Sequence, residues 1–234
     1  MIAFVINLDS RKDRWDSVLN QIDLLSMPLH RISAVTTDQL SGRDVQYAAP
    51  GVAATWLSHK KAALEFLATD LEYALILEDD FQLVKPLEFP TIEWLRSNKV
   101  DFLQIGFLQV TKWESIDIAF INFRDLALRF LRFMARFSRF INRRFSPKLL
   151  IRELPTSLSL VPTDIRPGGH CYLISRNFAE SMQELNNPIV FSADELFVSI
   201  SGMRVFGMLR FRRSKVRQND LPSSVTLRFK QKSE

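Results

Sequence analysis

The stretch Tyr73-Ala74-Leu75-Ile76-Leu77-Glu78-Asp79-Asp80 decides the fold. An unbroken apolar run of this length reads as a strand buried on both faces, as in a parallel sheet covered by helices. Three acids follow at its carboxyl end. Upstream, Ala53 to Ala68 carries Trp56, Lys60, Ala63, Leu64 and Leu67 in helical register. Ala3 to Leu8 is a second apolar strand. Residues 11 to 25 read as one helix, opened by a capping-box spacing over Ser10 to Asp13, and Leu29 to Val35 as a further strand. Downstream, Ile92 to Arg96 is a short helix and Asp101 to Gly106 a strand. Beyond residue 166 come a strand over His170 to Ser175, a helix over Asn177 to Leu185, a helix over Asp194 to Ser201 begun near Ser192, and a late strand over Val205 to Leu209. From Arg210 onward the tail is polar and basic, expected either to wrap the site or to hang loose. Strands alternating with helices predict an α/β fold with a mixed, mostly parallel sheet flanked by helices. In such sheets ligands sit at the carboxyl ends of the strands. That rule points to Asn7-Leu8-Asp9, to Glu78-Asp79-Asp80 and to Gly106.

The chain has 234 residues, 47% of them hydrophobic, which suits one domain with a sizeable core. A single cysteine, Cys171, permits no intrachain disulfide and fits a reducing compartment. Met1 runs straight into the first strand without a basic n-region, so no secretory leader is expected. No apolar run approaches the ~18 residues a spanning helix needs. The expected location is cytoplasmic and peripheral to the membrane. The net charge of +5 is unevenly spread. Between Phe120 and Arg152, nine basic side chains against Asp125 alone carry +8, so the rest of the chain carries −3. Such a distribution excludes a uniformly basic nucleic-acid binder.

Three adjacent carboxylates repel one another, and each raises its neighbours' pKa. A divalent metal relieves that cost. Mg²⁺ and Mn²⁺ take oxygen ligands, commonly one or two carboxylates together with substrate phosphates. The alternative is that the triplet simply ends a strand. Neither GxGxxG nor GxxxxGK[ST] occurs, which argues against dinucleotide-dependent dehydrogenases and phosphate-loop enzymes. Binding of a diphosphate would then rest on a metal and on basic side chains.

The triplet does not stand alone. Val5-Ile6-Asn7-Leu8-Asp9 with Arg11 and Arg14, then Trp56-Leu57-Ser58-His59-Lys60-Lys61-Ala62, then Leu75 to Asp80, occur in that order. Gly168 to Ser175 (GGHCYLIS), Ser192-Ala193-Asp194, and Val216-Arg217-Gln218 with Ser223-Ser224 follow. Together these resemble glycosyltransferase family 25, the lipooligosaccharide and collagen galactosyltransferase group, over residues 2 to 110 and 166 to 225. The resemblance implies a GT-A (Rossmann-like) fold, a nucleotide-sugar donor (most often UDP-galactose), a divalent Mn²⁺ or Mg²⁺, and inversion at the anomeric carbon. Carried over by position, it implies that Asn7, Arg11 and Arg14 lie near the nucleotide. His59 would touch donor or acceptor. Asp80 would face the metal, and Glu78 the ribose or the metal. Asp194 would be the base, with Glu195 beside it as the alternative. Arg11 or Lys60 would be a secondary charge partner. The expected acceptor is a glycan of lipopolysaccharide or lipooligosaccharide type. Two other classes stay open on the residues themselves: a metal-dependent nucleotidyl- or phosphoryl-transferase, and an inactive membrane adaptor on a transferase fold.

The segment from about 113 to 155 has no counterpart in that resemblance. Arg124, Arg129, Arg132, Arg136, Arg139 and Arg143 recur three to five residues apart, with Phe123, Phe130, Phe133, Phe137 and Phe140 between them. On a helix this makes a basic amphipathic surface suited to an anionic membrane interface, expected over residues 120–152. The alternative is that the Phe residues pack on the domain or on a second subunit.

Overall fold

The computed structural model describes residues 1–83, 85–107, 160–162, 165–203, 206–211 and 214–218. The basic segment of 113–155 lies outside the described residues, and with it the expected membrane-facing helix. Among the described residues no helix is long and apolar enough to cross a membrane.

The apolar runs do become strands. β1 is Ala3–Asn7, β2 Leu29–Ser33, β3 Tyr73–Glu78 and β5 Phe102–Gly106. β6 is Leu160–Pro162, β7 Cys171–Ser175 and β8 Met208–Phe211. They form one seven-stranded sheet in the order β2-β1-β3-β7-β5-β8-β6. β1 pairs in parallel with β2 and β3, and β5 in parallel with β8. β7 lies antiparallel between β3 and β5, and β6 lies antiparallel at the edge on β8. Five of the seven strands therefore run the same way, a mixed and mostly parallel sheet of the Rossmann-like GT-A kind. A two-residue strand β4 (Phe81–Gln82) pairs with β9 (Arg217–Gln218) in a separate antiparallel ribbon.

The helices are α1 Lys12–Leu19, α2 Ile22–Leu25, α3 Pro50–Leu67, α4 Ile92–Ser97, α5 Arg176–Glu184 and α6 Ala193–Met203. α3 begins three residues earlier than its hydrophobic register predicts, because Pro50 supplies a pre-set first turn. The single helix expected over 11–25 is broken in two at Asn20-Gln21. There Gln21 leaves the helical pattern: its Nε2 donates to Ser17 O and Phe81 O, and its Oε1 accepts from Leu83 N. The expected capping box over Ser10 to Asp13 is not formed. Arg11 takes the cap position, and the Asp13 carboxylate accepts from the Arg11 guanidinium instead.

Side chains alternate across the sheet as the pleat requires. Phe4, Ile6, Ala74, Ile76, Tyr172 and Ile174 join Trp56, Ala63 and Phe66 of α3, Phe178 of α5 and Phe197 of α6 in one core cluster. The intervening Val5, Leu75, Leu77 and Leu173 are equally buried, so both faces of the sheet are covered. Phe102, Tyr172, Phe178 and Phe197 meet at ring-centroid distances of 4.9–6.0 Å, within the range of favourable aromatic pairs.

Candidate active site at the carboxyl edge of the sheet

Because β1, β3 and β5 point the same way, Asn7, Glu78 and Gly106 end at one edge of the sheet. β7 runs the other way, so its entry, Gly168-Gly169-His170, arrives at that same edge. Gln104 on β5 anchors this entry. Its Nε2 donates to Arg166 O (2.6 Å) and Gly168 O (2.9 Å), and its Oε1 accepts from Arg166 N (2.8 Å). Gly168 has φ 115°, a conformation glycine adopts without a Cβ penalty. At Gly169 a Cβ would stand 2.8 Å from Asp194 Oδ1 and 3.6 Å from Glu78 Oε1. Glycine thus lets two carboxylates from distant parts of the chain lean over one backbone position.

The three acids after β3 have separate surroundings. Asp79 Oδ2 accepts from Asn7 Nδ2 and Oδ1 from Arg14 Nη1, both at 2.7 Å. Asn7 is itself fully engaged. Its Nδ2 also donates to Arg11 O, and its Oδ1 accepts from Arg31 Nε and Nη2. Arg31 in turn pairs with Asp9. Asn7 and Arg14 therefore brace the site from within: they are 1% and 8% exposed and hold Asp79. Asp80 Oδ2 accepts from Gln218 Nε2 at 2.8 Å, and Arg14 Nη1 stands 3.8 Å away. Its Oδ1 is buried with no hydrogen-bond partner among the described residues. Burial, then the charge of Glu78, pushes the Asp80 carboxyl up to about 6, against the pull of Gln218 and Arg14.

Glu78 is the open member of the triplet, with a side chain 29% exposed. Behind it lies His59, fully buried on α3. His59 Nδ1 is 2.7 Å from the Tyr172 hydroxyl, and Nε2 is 3.3 Å from Glu78 Oε1. Burial and the neighbouring Glu78 and Asp194 charges keep the Tyr172 hydroxyl protonated far above its usual range. In the neutral tautomer Tyr172 donates to Nδ1, and Nε2–H faces Glu78. Burial pushes Glu78 up, but His59, His170 and Arg14 outweigh it, and the net shift is downward. Asp194 shifts the other way. Burial, then Glu78, raises it, only partly offset by His59, the Gly168 amide and His170. Of these two neighbouring carboxylates, one is shifted down and the other up: burial is outweighed at Glu78, chiefly by His59, and burial with the charge of Glu78 prevails at Asp194.

Four expectations need adjustment. His59 has no exposed surface, so it positions Glu78 and does not meet a ligand directly. Asn7 has its hydrogen-bonding capacity filled by the protein. Lys60 turns to the α3–α5 interface and donates to Gln183 O at 2.7 Å, because its position on α3 faces α5. Glu195, the alternative base, closes a capping box on α6: its Oε2 accepts from Ser192 N and Oγ, and Ser192 Oγ accepts from Glu195 N. Arg11 lies at the outer side of the cluster, pairing with Asp13 at 2.7 Å. Asp79, Tyr172 and Gln218 lie inside the quoted motifs without an assigned role, and Gln104 lies outside them; all four are structural members of the site. A lone amide in an apolar strand, as in Phe102-Leu103-Gln104-Ile105, is the signal that could have revealed Gln104.

Among the described residues no three His, Cys, Asp or Glu side chains converge on a metal position. The unpartnered Asp80 Oδ1 nonetheless fits a hard divalent ion held by one protein carboxylate and completed by substrate phosphates.

A mostly parallel α/β sheet whose carboxyl edge gathers Glu78, Asp80 and Asp194, without a glycine-rich phosphate loop, has the architecture of a nucleotide-sugar transferase. The family model described as glycosyltransferase family 25 (LPS biosynthesis protein) matches residues 1–197, and the chain belongs to that family. The match takes in β1 through the first turns of α6, including Asp194. No curated protein gives a significant match to the chain. Membership makes the protein a glycosyltransferase by family, with a nucleotide-sugar donor and a glycan acceptor.

Proposed function

We propose that the protein is an inverting hexosyltransferase that moves galactose from UDP-galactose to a glycan of lipopolysaccharide type. The observation that carries this reading is the convergence of Glu78 and Asp194 over Gly169, with Asp80, two residues on from Glu78, holding an unpartnered carboxylate oxygen. In the transfer, the acceptor hydroxyl attacks the anomeric carbon, its proton passes to the Asp194 carboxylate, and the bond to the donor's diphosphate breaks. Burial, then Glu78, raises the Asp194 carboxylate above its ordinary value, which makes it the stronger base of the pair. Glu78, held ionised by His59, faces the donor's ribose. Arg14 and Arg11 bring positive charge to the side of the acid cluster where the diphosphate departs. A divalent ion, Mn²⁺ or Mg²⁺, would be held by Asp80 together with the donor phosphates and would neutralise the charge of the leaving group. The basic segment of 120–152 would bring the enzyme to an anionic membrane surface.

The experiment is thermal stabilisation against a panel of nucleotide-sugars, each with and without Mn²⁺. A ligand that binds only the native state raises the melting temperature. The expected result is a metal-dependent rise with UDP-galactose. Absence of a rise with any donor, with or without metal, would sink the reading.

A further inference from the structure

Asp194 belongs to two places at once. On one side it leans over Gly169 with Glu78. On the other it lines a cleft of about 360 Å³ together with Pro167, Phe191, Glu195, Val198 and Ser199. That volume lies within the range of about 300–1,000 Å³ typical of small-molecule sites. The Glu195 carboxylate is committed to the helix cap and the Ser199 hydroxyl to Glu195 O, which leaves Asp194 as the polar group of the cleft not engaged in α6's own hydrogen bonds.

The cleft's apolar wall is exposed and yet held still. Phe191 is 42% exposed and Val198 36%, so neither serves the core. Asn186 fixes the backbone that presents Phe191. Its Oδ1 accepts from Val190 N (2.9 Å) and Phe191 N (3.0 Å), and its Nδ2 donates to Phe191 O (2.7 Å). Asn186 has φ 55°, a left-handed conformation that asparagine tolerates better than most residues. A preorganised aromatic on a surface loop loses little entropy when a ligand settles on it.

Resting on the transferase reading, we infer that this cleft is the acceptor subsite, and that it takes a pyranose whose apolar face lies on the Phe191 ring while one hydroxyl points at Asp194. A pyranose has an apolar C–H face and a rim of hydroxyls. Its C–H groups match the negative face of an aromatic ring, and its hydroxyls match a lone carboxylate. A bare acyl chain would offer the Asp194 carboxylate, which already accepts from the Gly168 amide, no further hydrogen-bond donor. Phe191 is thereby a specificity-determining residue for the acceptor.

The test is saturation-transfer NMR on the full chain with UDP and Mn²⁺ present, using a panel of methyl hexopyranosides as probes and hexanoate as the acyl control. At least one glycoside is expected to receive saturation from the wild type. The effect is expected to fall about fivefold or more in Phe191→Ala and to persist in Phe191→Trp. Because Phe191 is exposed, the variants are expected to melt with the wild type, and donor-induced stabilisation is expected to be unchanged. Equal glycoside signals in wild type and Phe191→Ala would overturn the inference, as would a signal from hexanoate alone. A protein stabilised by a nucleotide-sugar that shows no glycoside signal would overturn it while leaving the transferase reading intact. A protein stabilised by no nucleotide-sugar would overturn that reading first and this one with it.

Discussion

Asp79 and Asp80 are neighbours in the chain with opposite surroundings: both oxygens of Asp79 are paired, to Asn7 and Arg14, whereas Asp80 leaves Oδ1 without a hydrogen-bond partner among the described residues. Removing one partner of a buried ion pair strands the other charge and costs about 3–5 kcal/mol. Asp79→Ala is therefore expected to lower unfolding free energy by that order in denaturant titration. Asp80→Ala, which loses the Gln218 hydrogen bond but also removes a buried charge, is expected to change the ligand-free stability less than Asp79→Ala and to lose the Mn²⁺-dependent shift with UDP-sugars. The reverse pattern would show that the structural and ligand-facing roles have been assigned to the wrong acids.

Asp194 carries an expectation about pH. Its pKa is raised above the ordinary 3.8, by burial and then by Glu78. A raised folded-state pKa means that folding favours the protonated form. The stability linked to this group is fully present below the unfolded value and is lost as pH rises through the folded value. At pH 7.5 the ionised carboxylate therefore weakens the fold. Asp194→Asn, which cannot ionise, is expected to melt higher than the wild type at pH 7.5, by about 2–4 °C per kcal/mol relieved, and to lose this advantage near pH 3.5. Transfer is expected to fall by about 10²–10⁴. A less stable variant at pH 7.5, or one with wild-type turnover, would contradict the assignment.

Gly169 and Gly202 offer a controlled pair. A Cβ at Gly169 meets Asp194 Oδ1 at 2.8 Å, whereas one at Gly202 in α6 meets nothing within 4 Å. Gly169→Ala is expected to destabilise by about 1–3 kcal/mol and to impair transfer by pushing Asp194 out of place. Gly202→Ala is expected to stabilise by about 0.5–1 kcal/mol, since alanine is the better helix former. Equal effects in calorimetry would remove the close approach of Gly169 and Asp194 as an explanation.

The His59–Tyr172 contact can be read by a double-mutant cycle. His59→Phe leaves the Tyr172 hydroxyl buried without a partner, at a cost of about 1–3 kcal/mol. The double variant His59→Phe with Tyr172→Phe is expected to recover much of that loss, giving an interaction term of about 0.5–3 kcal/mol. Both variants are expected to reduce transfer, because Glu78 loses the imidazole that holds it. Strict additivity of the two single changes in denaturant unfolding would dissolve the proposed link.

Much of this architecture was legible before any coordinates. Tyr73 to Leu77 reads as a buried strand because apolar side chains serve both of its faces, and β1, α3 and β5 follow the same logic. The antiparallel placement of β7 between β3 and β5 was not legible, since Cys171 to Ser175 has the same apolar signature in either direction. Nor was the separation of Asp79 from Asp80: three adjacent acids look alike until Asn7, 72 positions away, and Gln218, 138 positions away, choose among them. The role of Glu195 was legible in principle, as Ser192-x-x-Glu195 has capping-box spacing. Its partners are local, and locality is what sequence conveys best. Residues at the expected positions also proved to differ in depth. Asn7 and His59 reach the edge of the acid cluster, yet burial makes them supports for Asp79 and Glu78.

The position of β7 also governs how the chain must be assembled during synthesis. β3 leaves the ribosome with one edge satisfied by β1, while its other neighbour is encoded more than ninety residues later. At translation rates of about 5–20 residues per second, that edge waits on the order of 5–20 s for Cys171–Ser175 to arrive. In that interval an apolar strand with open hydrogen-bonding groups is available to any other extended chain. The nascent protein is accordingly expected to be a client of holding chaperones, and its yield to depend on the speed of elongation across the segment that separates β3 from β7.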